Sequence, residues 1–176
     1  MKRVSSLAHH FLLKHLSADS IIVDLTMGNG NDTLFACQHF KHVYAFDVQK
    51  EALQNTQVRC QAYTNFTLYH LSHADLEKVI LEPVDAYIFN GGYLPHSESL
   101  ITTQTQTTLI ALNQAIPLLK TGGLLVLSFY RKHTGGLQEY TRCEAWLTHI
   151  KNIHLVHRIE YDNDALSPVL LVFKKL

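Results

Sequence analysis

Asp24 and Asp47 each close an apolar run of the kind that forms a buried strand, and the chain between them opens with a glycine-bearing turn. That turn reads Val23-Asp24-Leu25-Thr26-Met27-Gly28-Asn29-Gly30-Asn31-Asp32-Thr33. Gly28 and Gly30 allow positive φ and close approach of backbone to a ligand, and the free amides that open the next helix supply donors. A strand feeding such a turn at the carboxyl edge of a parallel sheet builds a ligand crevice, although an ordinary strand-to-helix turn has a similar composition. Asp47, 23 residues after Asp24, suits the two hydroxyls of a ribose. The competing reading is a strand-end aspartate that caps the following helix. Gln49 lies over the same edge. Ser72-His73-Ala74-Asp75 follows the third apolar run, where an adenine edge would lie, and Ser72 or Asp75 also suits a helix cap. Three such signals in register along one edge are more specific than any one of them.

Which nucleoside cofactor fits is decided by what the turn lacks. Thr26 replaces the first glycine of D-x-G-x-G-x-G, and Asn31-Asp32-Thr33 follows Gly30, so G-x-G-x-x-G is absent. That counts against a clamp for the pyrophosphate of NAD. S-adenosylmethionine (SAM) has no pyrophosphate, and its amino-acid end suits polar side chains such as Asn29, Asn31 and Asp32.

The elements that must position these residues alternate along the whole chain. Strands are predicted at Ile21 to Leu25, Val43 to Asp47, Phe66 to Tyr69, Asp85 to Asn90 and Leu124 to Tyr130. Helices are predicted at Asp32 to His39, Lys50 to Cys60, Asp75 to Leu81, Thr103 to Leu119 and Leu137 to Lys151, with Thr121-Gly122-Gly123 as a helix stop. The pattern then changes. Ile153 to Tyr161 and Val169 to Lys174 are joined by a segment too short for a helical crossover, so they form an antiparallel hairpin. The fold class is therefore α/β: a Rossmann-like class I methyltransferase, with a seven-stranded, mostly parallel sheet ending in a hairpin. Residues 1–176 read as one domain without repeats or a linker.

In such a sheet the acceptor sits beyond strand four, here Asn90-Gly91-Gly92-Tyr93-Leu94-Pro95. Amino-methyltransferases of other families place an Asn or Asp there, followed by two prolines and an aromatic. Asn90 and Tyr93 are similar in kind, without the prolines. Asn90 and Tyr93 are thus the candidate catalytic pair, one to accept a hydrogen bond from an amine and one to stack on a base. A packed turn is the plainer reading of Tyr93-Leu94-Pro95. Methyl transfer to an amine is an in-line displacement that depends mainly on orientation. It also needs the amine unprotonated, which a partly desolvated site favours. The candidate bases are His96, His133 and Asp32. No histidine, cysteine and carboxylate spacing marks a metal site. Arg131-Lys132-His133 is the best candidate for a phosphate contact, against the plain reading of a solvated strand end.

Fifteen Lys and Arg balance fifteen Asp and Glu, so an RNA partner would be held by a local contact rather than a broad basic face. No apolar run reaches the roughly 20 residues of a membrane span, and no membrane partner is expected. The cysteines number three and are widely spaced, which argues against a disulfide framework and for a cytoplasmic location.

The chain resembles a small family of class I methyltransferases known as rRNA methylases. Characterised members methylate the 5-aminomethyl group of the wobble uridine in bacterial tRNA. The resemblance runs nearly end to end, through Ala8-His9-His10, Asp24 to Thr33, Phe46-Asp47-Val48-Gln49, Ser72-His73, Phe89 to Pro95, His133-Thr134-Gly135-Gly136 and Asn163 to Pro168. It departs at Asn31, where histidine is expected, and at Gly91, where leucine is usual. What it implies is SAM as cofactor, the anticodon stem-loop of tRNA as substrate, and 5-methylaminomethyl-(2-thio)uridine as product. A homodimer would help so small a domain grip an anticodon arm. An rRNA methyltransferase and a small-molecule methyltransferase remain as alternatives.

Overall fold

The computed structural model describes residues 4–94, 101–160, 164 and 166–176. Seven strands form one sheet: β1 (Ile21–Asp24), β2 (His42–Asp47), β3 (Phe66–His70), β4 (Val84–Gly91), β5 (Leu119–Phe129), β6 (Ile153–Glu160) and β7 (Val169–Lys175). Their spatial order is β3-β2-β1-β4-β5-β7-β6. The first five strands run parallel, and β7 pairs antiparallel with both β5 and β6. This is the seven-stranded sheet with a terminal hairpin expected from the alternation of elements.

Period-two alternation decides which way each strand residue points. Ile22, Ile88 and Val126 pack on one face with α1 (Val4–His15) and α2 (Asn31–His39), through Phe11, Leu12, Phe35 and Ala36. Val23, Tyr87, Phe89 and Leu125 pack on the other face with α4 (Thr105–Leu118) and α5 (Gly136–Leu147), through Leu112, Ala115 and Cys143. With both faces covered, β4 from Ala86 to Phe89 is buried throughout, as a central parallel strand must be. Helix α3 (Lys50–Arg59) links β2 to β3. Strand order reverses between β1 and β4, which opens a crevice at their carboxyl ends.

Two expected elements differ. The helix expected at Asp75 to Leu81 is a 3-10 helix at His73–Lys78, started by Ser72, whose hydroxyl accepts the Ala74 amide at 3.2 Å. With β4 beginning at Val84 there is room for little more than a turn. Nor does Thr121-Gly122-Gly123 end a helix; it lies inside β5. Val84 pairs with Leu119 but Ala86 pairs with Leu124, so residues 120–123 bulge out opposite Asp85. Gly122 takes φ 82°, and a Cβ on Gly123 would lie 2.8 Å from the Asp85 carbonyl oxygen. A bulge and a helix stop both require glycine, so composition does not distinguish them.

Candidate active site

The turn after β1 is tied to both neighbouring strands: Leu25 N–H donates to Ile88 O and Met27 N–H to Phe46 O, each at 2.9 Å. Asp24 holds the turn from below. Its carboxylate is fully buried and accepts the Thr26 amide at 3.1 Å and the Thr33 hydroxyl at 2.7 Å. Burial, reinforced by the nearby Asp32 carboxylate, raises the Asp24 carboxyl far above its ordinary range. Gly30 takes φ 77°, and a Cβ there would meet the Thr56 Cα at 2.9 Å, so packing of α2 on α3 demands the glycine.

Two contiguous cavities open above this turn. One, of about 280 Å³, is lined by Gly28, Asp47, Gln49, Ser72, His73 and the loop around Thr103. The other, of about 210 Å³, is lined by Asn29, Asn31, Asp32 and Tyr130. Thr26, Gly28, Asn90, Gly92 and Tyr93 border both. The sequence-derived site residues therefore converge on one place, except that Asp24 and Gly30 line neither cavity and support the turn from beneath. Ser72 caps the 3-10 helix, as one reading expects, and also lines the first cavity.

The first cavity is rich in hydrogen-bond acceptors. Asp47 accepts the Gly28 amide at 3.1 Å on one oxygen and the Gln49 amide at 2.9 Å on the other. Burial raises its carboxyl above the ordinary value, and the backbone amides of Gln49, Gly28 and Val48 oppose that shift. Gln49 Oε1, His73 Nε2 and Asn90 Oδ1 are buried with no hydrogen-bond partner among the described residues. Burial lowers the His73 imidazole to about 4, opposed by its bond to the Leu25 backbone. The ring is thus neutral near pH 7, and with its donor used on that backbone, Nε2 is an acceptor. Buried acceptors without partners are costly unless a ligand supplies the donors.

At the joint between the cavities stands Asn90, the last residue but one of β4. Its backbone N–H donates to Thr26 Oγ1 at 2.8 Å, so the threonine in place of the usual glycine struts the turn against β4. Its side-chain Nδ2 donates to Asp32 Oδ2 at 3.1 Å, and Asp32 Oδ1 lies 2.6 Å from His9 Nε2. Beyond Asn90, Thr103 clamps Gly92. Its hydroxyl accepts the Gly92 amide at 2.9 Å and donates to the buried Glu139 at 2.8 Å, while its own amide donates to Gly92 O at 2.8 Å. Glu139 also accepts from Thr108 at 2.6 Å. Tyr93 pairs with Thr102 across this clamp and stands 60% exposed at the rim.

Neither His9 nor Glu139 was identified as a site residue from sequence. Each lies on a helix far along the chain from Asn90; the one signal was Ala8-His9-His10 among the residues that carry the family resemblance, and Glu139 had none. Of the candidate bases, Asp32 lines the second cavity. His133 lies in an open groove beside Tyr93 and Lys132, outside both cavities. His96 lies outside the described residues. The expected phosphate contact needs correcting. Arg131 is 6% exposed, donates through Nε to Ser167 O at 2.6 Å, and sits 5.1 Å over the Tyr140 ring. It pins the β7 approach to α5 and cannot reach a phosphate. Lys132 beside it is exposed and pairs with Asp164 at 3.0 Å. Among the described residues no group of His, Cys, Asp and Glu could hold a metal ion.

Residues 43–175 match the family described as "Putative rRNA methylase". The chain belongs to that family. A tRNA (mnm(5)s(2)U34)-methyltransferase, chloroplastic, of Arabidopsis thaliana is 32% identical over 99% of this chain and 70% of its own length. A methyltransferase of Streptococcus mutans, solved in complex with SAH, is 34% identical and superposes with a TM-score of 0.90 over 100% of this chain and 99% of its own. An rRNA-methylase structure from Clostridium thermocellum is 30% identical, with a TM-score of 0.93 over 100% and 99% of the two chains. The protein is a SAM-dependent methyltransferase. The donor set fits that cofactor: SAM carries ribose hydroxyls, an adenine amine and an ammonium group, and the unpartnered atoms here are acceptors beside a carboxylate.

Proposed function

We propose that this methyltransferase transfers a methyl group to the 5-aminomethyl nitrogen of wobble uridine 34 in tRNA, giving 5-methylaminomethyl-(2-thio)uridine. The observation that carries the reading is Asn90 Oδ1, a buried acceptor without a partner among the described residues, where the two cavities meet. The name of the Arabidopsis relative supports a tRNA substrate.

In this reading Asp47 takes the ribose hydroxyls, Gln49, Ser72 and His73 surround the adenine end, and Asn29, Asn31 and Asp32 receive the amino-acid end. Bound SAM supplies an electrophilic methyl group on a sulfonium, whose charge is lost as the carbon–sulfur bond breaks. Asn90 Oδ1 accepts one amine N–H and thereby aims the nitrogen lone pair. An amide oxygen is not a base, so it does not favour the unreactive ammonium as a free carboxylate would. Exposed Tyr93 stacks on the uracil, and Lys132 with the groove beside Tyr93 takes a neighbouring phosphate.

The test is nucleoside mass spectrometry after incubating the protein and SAM with tRNA that carries 5-aminomethyluridine. Appearance of the methylaminomethyl nucleoside is the expected result. Methylation of rRNA with none of tRNA would replace this substrate with the one in the family's description.

A further inference from the structure

We infer that His9, on α1, is a positioning residue for the acceptor site and acts through Asp32 on the side-chain amide of Asn90. The inference rests on the acceptor role given to Asn90 above. His9 Nε2 lies 2.6 Å from Asp32 Oδ1, and Asn90 Nδ2 donates to Asp32 Oδ2 at 3.1 Å. Asp32 is 6% exposed, so both of its oxygens work in a site largely closed to water. The His9 ring lies flat on Phe35, with centroids 3.7 Å apart and planes 1° from parallel. Phe35 belongs to α2, the helix that carries Asp32.

The ring therefore has little freedom to turn, and its nitrogen holds the carboxylate in one rotamer. A carboxylate only accepts hydrogen bonds, so the end of Asn90 facing Asp32 must be its NH₂. Its oxygen is then turned away, buried and without a partner among the described residues, on the border of both cavities. Without His9, Asp32 can swing toward solvent or bind water, and the Asn90 amide loses the contact that distinguishes its two ends.

His9→Phe keeps the ring stacked on Phe35 and removes the hydrogen bond, whereas His9→Gln keeps a donor at nearly the same reach. In single-turnover methylation of tRNA carrying 5-aminomethyluridine, at saturating SAM and tRNA, His9→Phe should slow transfer about tenfold or more, the scale of a small misplacement of reacting groups. His9→Gln should restore most of that rate. The melting temperature should stay close to wild type in both variants, and saturating SAM, with the SAM affinity of each variant measured by calorimetry, separates slower transfer from any weaker hold of Asp32 on the amino-acid end. The loss should also vanish in an Asn90→Ala background, because His9 acts through that amide.

A readout that needs no RNA is the NMR signal pair of the Asn90 side-chain NH₂ in the SAM-bound protein. It should move in His9→Phe and return in His9→Gln. Unmoved NMR signals in a folded His9→Phe would overturn the inference, as would equal losses of rate with and without Asn90→Ala. Moved signals together with unchanged transfer would show that His9 sets the amide but that the acceptor lies elsewhere, which removes the role given to Asn90 instead.

Discussion

The side-chain amide of Asn90 donates to Asp32 at 3.1 Å, and this bond decides which end of the amide meets the cavities. Asn90→Ala should leave SAM affinity nearly intact and lower the single-turnover rate by about 10²-fold, since small losses of orientation are costly in displacement reactions. Asn90→Asp is more revealing. It sets two carboxyl groups at the distance of the present bond, where they should share a proton at low pH. As pH rises the proton is lost and like charges face each other, so the variant's rate should fall over the range where wild type gains from deprotonation of the amine. A pH–rate series on both proteins checks the opposite signs.

Asp47 accepts two backbone amides on the wall of the first cavity, which we propose holds the cofactor. Asp47→Ala should weaken SAM binding by about 1.5–3 kcal/mol, the scale for losing charge-assisted hydrogen bonds. Asp47→Asn turns an NH₂ toward one of these amide donors and should lose a comparable amount. Calorimetry on folded variants measures both, and unchanged affinity in Asp47→Ala would take the residue out of the site.

Arg131 and Lys132 are adjacent in sequence but should behave differently on RNA. Lys132 is exposed, so Lys132→Ala should lower the slope of log affinity against log salt by about one phosphate. Arg131 is buried against Ser167 and Tyr140. Arg131→Ala should cost about 2–4 kcal/mol of stability, the range for breaking a buried, hydrogen-bonded charge, with the salt slope of the folded fraction unmoved. Filter-binding titrations and thermal melts separate the two effects.

His73 gives folding stability a pH dependence of known sign. Its imidazole is lowered from 6.5 to about 4 by burial. Between those values the unfolded chain binds more protons than the folded one, so the term is fully present above about pH 6.5 and is lost as pH falls toward 4. The raised carboxyls of Asp24, Asp47 and Glu139 act in the opposite sense, favouring the folded state at lower pH. The comparison with a variant isolates the histidine: His73→Gln should lose less melting temperature than wild type on acidification from 6.5 to 4. Parallel curves would show that His73 titrates normally.

Much of the fold, and the residues that line the first cavity, were legible in the sequence because both rest on local patterns. Apolar runs, the Gly28-Asn29-Gly30 turn and strand-end residues Asp47 and Ser72 lie at the edges of successive β-α units, and parallel pairing brings those edges together. Local chemistry also misled where two structures need the same residues: Gly122-Gly123 serves a bulge in β5 rather than the end of a helix. The rest depended on packing between distant segments. Whether Arg131 faces water or the protein is settled by Ser167, 36 residues on. The contacts of Asp32 with His9, 23 residues before it, and with Asn90, 58 residues after it, arise because α1 and α2 share one face of the sheet and β4 lies beside β1. A sequence pattern carries the period of one element, whereas the orientation of the Asn90 amide is set by three elements that meet only in the folded chain.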